Sequence, residues 1–283
     1  MSRGPVASPV TLPVRLARGF RPSAWLTLLK ISIQQFVRGR RLLVLALLFS
    51  LPTALTLLSR YFNEDYYDEI DRARQFILFV MIPQALVPLT ALVLASGMIR
   101  DEVEGQTLTY LLIRPLPRPS IYVAKLLAAW LVSTALATVF TTVAVVAIHW
   151  GTPELWGEMI PRQAAQLTGL SALSLLVYAT LFGLFGLLVR WILPLGVAYI
   201  LLFEGLFANV DFSIRRLTLL WYVRILAERW FGIHDDAWSI DLETVPSANE
   251  ALLTLLTAAL VMAVAGALIF GARELRVKTP EGS

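Results

Sequence analysis

The groups in this sequence that could carry chemistry are few, and most lack the neighbours a reacting centre needs. Cysteine is absent, so no thiolate nucleophile, thiolate metal site or disulfide can form. The two histidines, His149 and His234, stand outside any HExxH pattern, and no pair of aspartates falls within an apolar run. No metal site or membrane protease is expected. Lysine occurs only as Lys30, Lys125 and Lys278, none of them in a GxxxxGK[ST] arrangement, so the chain has no phosphate-cradling loop and cannot hydrolyse ATP alone. Glu204 is the only carboxylate well inside a predicted span. Burying its charge in lipid is costly, so it marks either a translocation path or a carboxyl group protonated or hydrogen-bonded across helices. An ion-coupled carrier would need more such groups, and often internal repeats.

A denser constellation lies at 99–125, IRDEVEGQTLTYLLIRPLPRPSIYVAK. It reads as a short helix, about 101–113. Asp101, Glu102 and Glu104 fall in the first turn, where the helix dipole favours negative charge. Leu108, Leu111 and Leu112 form an apolar edge, and Pro115, Pro117 and Pro119 forbid continuation. Exposed leucines need a partner; the alternative is that the edge tucks against the membrane surface or the N-terminal helix.

These residues must be positioned by membrane-crossing elements. Of 283 residues, 57% are hydrophobic and 16% charged, and the mean hydropathy is +0.70. That balance excludes a soluble globular domain. A hydrocarbon core of about 30 Å asks for roughly 20 apolar residues per helix. Six spans are predicted, at 42–59, 76–98, 121–148, 164–189, 193–210 and 251–270, with tails at 1–41 and 271–283. No cleavable signal peptide is visible, because the apolar positions of the arginine-rich start are interrupted. Arginine and lysine crowd the segment before the first span, the second connection and the tail, which the positive-inside bias places in the cytoplasm with both termini. The acidic first connection (Glu64, Asp65, Asp68, Glu69, Asp71) and the long last connection, 211–250, belong outside. The net charge of +4 comes from the cytoplasmic loops and does not indicate nucleic acid.

Before the first span, Trp25, Leu28, Leu29, Ile33, Phe36 and Val37 share one helical face while Thr27, Lys30, Gln34 and Arg38 share the other. Such a helix is expected to lie in the inner-leaflet interface among anionic lipids. The last connection carries Trp221, Tyr222, Trp230, Phe231 and Trp238, and short helices near the outer headgroups are expected there. Small residues recur at Ala259, Ala263, Ala267 and Gly271, and at Ala129, Ser133 and Ala137, a spacing for close helix contact within the chain or with a second copy. Pro83 and Pro88 should kink the second span.

In its second connection the sequence resembles the permease subunits of the ABC-2 type (type V exporter) family, with Glu102, Glu104, Thr107, Leu108, Leu111, Leu112, Pro115, Arg118 and Lys125 in the family's order. Gln106 stands where the family usually has glycine, with Gly105 one position earlier, and the run EGLFAN at Glu204–Asn209 is also similar to related permeases. The resemblance implies an all-α membrane protein: six transmembrane helices, an N-terminal amphipathic interfacial helix, a cytoplasmic coupling helix between spans 2 and 3, and short outer helices between spans 5 and 6. It further implies a separate ABC ATP-binding subunit that holds ATP and magnesium, a second permease copy or paralogue, and no cofactor in this chain. An ATPase-coupled component doing mechanical or regulatory work without transport shares all these motifs. An ATP-independent channel or carrier is disfavoured because no polar path is evident beyond Glu204.

Overall fold

The computed structural model describes residues 22–62, 75–99, 116–150, 157–209, 213–232, 238, 240, 241 and 243–272, and among them the chain is helical with no strand. Helix α1 is Pro22–Arg38 and α2 is Arg40–Phe62. Helix α3 begins as a π-helix, Gln75–Leu86, and continues as an α-helix, Val87–Ala95. Then follow α4, Arg118–Ile148, and α5, Met159–Leu188. Helix α6 starts as Ile192–Tyr199, widens to a π-helix over Ile200–Leu206 and tightens to a 3-10 turn at Phe207–Asn209. A 3-10 turn at Ser213–Leu217 leads into α7, Leu219–Phe231, and α8 is Ala248–Ala272.

Four helices, α2, α4, α5 and α8, are long and apolar enough to cross a membrane, and they match the predicted first, third, fourth and sixth spans to within a few residues. The predicted second and fifth spans coincide with shorter apolar helices, Val80–Ala95 and Ile192–Leu206. At a rise of about 1.5 Å per residue, the latter reaches only about 22 Å, short of a hydrocarbon core of about 30 Å. Both shorter helices are the ones that change helix type. In α3 this happens around Pro83, which sits inside the π-helix, and Pro88, which sits in the first turn of the α-helical part and has no N–H to offer the turn before it. Wider or tighter turns re-satisfy backbone groups that proline would strand.

Two apolar clusters hold the bundle, one toward each end of α4. Ile121, Tyr122, Leu126 and Val132 of α4 meet Leu28 of α1, Leu45 of α2, Leu94 and Met98 at the end of α3, and Phe270 of α8. At the other end, Ala137, Ala144 and Ile148 meet Phe49 of α2, Ile82 and Val87 of α3, Val177 and Phe182 of α5, and Trp221 and Leu226 of α7. The small-residue ladders serve these contacts. Ala129, Ser133 and Ala137 are buried on α4, as are Ala259 and Ala267 on α8. Gly266 lies so close to the Tyr122 ring that a Cβ there would overlap its hydroxyl, so α8 and α4 approach at backbone distance. Several hydroxyls within the helices bond back to their own turn, among them Thr90 to Leu86 O, Ser133 to Ala129 O and Ser174 to Leu170 O.

Candidate coupling face and buried polar cluster

The coupling helix anticipated at 101–113 lies outside the described residues, and so do Glu102, Glu104, Thr107, Leu108, Leu111, Leu112 and Pro115. What is described is the platform at its two ends. Met98 and Ile99, where α3 stops, and Leu116, two residues before α4 begins, are all buried in the cluster that also takes Leu28 of α1. The described chain therefore stops at Ile99 and resumes at Leu116 within one packed cluster. Helix α4 starts cleanly there: Pro117 and Pro119 flank Arg118, and the Ser120 hydroxyl and amide both donate to Pro117 O. Arg118 is half-buried in this first turn, and Lys125, two turns on, is buried.

Helix α1 braces the same site. The Trp25 indole Nε1 donates to Ser120 O at 3.0 Å, tying α1 to the first turn of α4. The apolar face read from the sequence divides in two. Leu28 is buried and Trp25 and Phe36 half-buried toward the bundle, whereas Val37, with Leu26, is more than half exposed. Lys30, Gln34 and Arg38 lie on the remaining, exposed arc. One side thus docks on protein, the next suits hydrocarbon and the third suits water or headgroups.

At the opposite end of α4, Glu204 is 1% exposed and hydrogen-bonded across helices. Its Oε1 accepts from the Tyr199 hydroxyl at 2.9 Å and from Leu219 N at 3.2 Å, and its Oε2 accepts from Leu220 N at 2.9 Å. The two amides open α7. Thr218, which precedes them, turns its own hydroxyl back to Arg215 O and caps nothing. A carboxylate from α6 therefore does the work of an N-cap, meeting unpaired N–H groups and the positive end of the helix dipole at once.

One turn along α7, Arg224 is 2% exposed. Its Nη2 donates to Gln84 Oε1 on α3 at 2.8 Å, its Nη1 donates to Ala208 O at 3.2 Å, and its guanidinium lies 5.6 Å from the centre of the Trp238 ring. The short helix expected in this connection is α7, which packs against the bundle with Leu220, Trp221, Val223, Ile225, Leu226 and Ala227 all buried. It ends at Gly232, whose φ of 64° is the left-handed conformation that favours glycine. Arg229 then donates to Val245 O and Pro246 O, just ahead of α8. Sequence reasoning missed Arg224 and Gln84, 140 positions apart. The aromatic density of this connection was the only signal in reach.

Among the described residues, no group of histidines, cysteines and carboxylates could hold a metal ion. The described residues form a helical bundle with an N-terminal amphipathic helix, four helices long and apolar enough to cross a membrane, and a short helix folded back into its far end. The chain belongs to the ABC-2 family of transporter proteins, whose family model matches residues 37–205. That match runs from the end of α1 to just past Glu204, and it takes in the 100–115 segment. No curated protein matches the chain. It is a multi-pass membrane component of an ABC transporter.

Proposed function

We propose that this chain is the permease subunit of an ABC exporter, moving its cargo across the cytoplasmic membrane with ATP hydrolysed on a separate nucleotide-binding subunit. The observation that carries this reading is the braced exit at Ile99 and Leu116 within the region matched to the ABC-2 family. A chain without a phosphate-binding loop must receive work from outside. A short element whose two ends are fixed in one packed cluster can pass the closure of a partner into α3 and α4 together. Leu108, Leu111 and Leu112 are the packing residues of this contact; Glu102, Glu104 and Arg118 supply ionic or capping contacts, with Thr107 and Pro115 bounding the leucine edge. ATP and magnesium reside on the partner. A second permease copy or paralogue completes the path, six helices cross the bilayer, and both termini lie in the cytoplasm. Glu204 belongs to the outer end of that path and acts there by holding α7, since both of its oxygens are engaged.

The test is co-purification with the ATP-binding subunit, followed by transport in sealed vesicles supplied with ATP and a panel of lipids, drugs, peptides and polysaccharide precursors. Leu108→Asp or Leu111→Asp is expected to abolish association while leaving the helical fold unchanged by circular dichroism. Unchanged association in both variants overturns the coupling assignment. ATP turnover without movement of any cargo favours mechanical work instead.

A further inference from the structure

Two buried polar anchors join α7 to the rest of the bundle, and neither runs to a regular α-helix. Glu204, which receives the α7 amides, sits in the π-helical stretch Ile200–Leu206, and Gln84, which receives Arg224, sits in the π-helical stretch Gln75–Leu86. Arg224 also reaches Ala208 O in the 3-10 turn that ends α6. Carboxylate and guanidinium are thus embedded as oppositely charged members of one assembly spanning α3, α6 and α7. Burying such groups away from water is expensive unless they are hydrogen-bonded, so their retention calls for a role beyond filling space. A π-helix is a strained register that can relax to α by a one-residue slip, and it recurs where helices change state.

We infer that Arg224 and Gln84, together with Glu204, are positioning residues that bind α7 to the π-helical parts of α3 and α6, so that the three move as one unit when the transporter cycles. The inference rests on the permease reading for its cycle, but not for the unit itself. Hydrogen bonds from a guanidinium to a side-chain amide and a main-chain carbonyl have fixed directions, so α7 cannot slide along either neighbour without breaking them. A shift of α3 or α6 relayed from the coupling segment would thereby carry α7 with it.

The absence of cysteine gives a silent background for a single thiol. Ala227→Cys places one on α7 at a buried, near-isosteric position outside both anchors. In nanodiscs, maleimide labelling of this variant without nucleotide is expected to be slow. Adding Gln84→Ala or Arg224→Met should speed it by about tenfold or more, as expected for local opening after loss of a charge-assisted hydrogen bond. The double variant should label no faster than either single one, and Gln84→Glu, which keeps an acceptor, should remain protected. Independent, multiplying effects of the two substitutions, or no effect of either, overturn the unit. Gln84→Ala lies outside α7 and keeps the question open to measurement if Arg224→Met does not accumulate. In the complex with the ATP-binding subunit, nucleotide should change labelling in the Ala227→Cys parent and lose that influence in Gln84→Ala. Labelling indifferent to nucleotide in an active parent complex overturns the coupled movement, whereas failure to bind any such subunit overturns the permease reading alone.

Discussion

Glu204 shows what a single buried carboxylate can do in a chain with so little ionic chemistry. Its two oxygens take three donors, two of them amides that α7 would otherwise bury unpaired. Glu204→Ala should lower stability by about 2 to 3 kcal/mol through those amides, read as a lower unfolding midpoint in detergent, and Glu204→Gln, which keeps one acceptor, should cost less. The sequence marked this residue as unusual, because a carboxylate in an apolar run is conspicuous. Its partners were hidden, since Leu219 and Leu220 offer backbone groups from across a turn and no side-chain pattern announces them. Gly266 is the apolar counterpart. Gly266→Ala forces a Cβ into the Tyr122 ring and should cost about 1 to 3 kcal/mol, with a smaller penalty in a Tyr122→Ala background, where the clash is gone.

At the scale of elements, periodicity revealed what is local and missed what is assembled. Helix α1 was legible because its three arcs repeat within one helix, and its docking by Trp25 adds a contact no periodicity could supply. Trp25→Ala should loosen α1 from α4 and speed proteolysis within 22–38, leaving α4 and α5 resistant. Helix α7 was harder to place. Its aromatic residues suit an interface as well as a core, and only the tertiary contacts of Arg224 and Trp221 show that it packs on the bundle. Helix α8 begins with a reciprocal cap: Ser247 N and its hydroxyl donate to Glu250 Oε2 while Glu250 N donates to Ser247 Oγ. The S-x-x-E spacing of Ser247 and Glu250 is legible in the sequence. Ser247→Ala should cost about 1 kcal/mol, measured by thermal unfolding, while leaving transport in place.

For the whole molecule, the apolar composition announced a bundle, and four helices are long enough to cross unaided. The expectation of six crossings depends on α3 and α6, whose lengths and helix types no hydropathy window could report. The coupling helix, central to the reading of function, falls outside the described residues, so its test is biochemical. A thiol placed at Thr107 should react with an impermeant reagent only from the cytoplasmic side, and protection should follow when the ATP-binding subunit is added.

The brevity of α6 carries its own consequence. A bilayer must dimple to meet the 15 residues of α6 that precede its 3-10 turn, or the protein must shield its end, and each added methylene in the acyl chains makes the mismatch worse. Reconstituted into lipids of increasing chain length, the transporter should work best in thin membranes and slow steadily as they thicken, because lipid crowding the tip of α6 presses on the segment that carries Glu204.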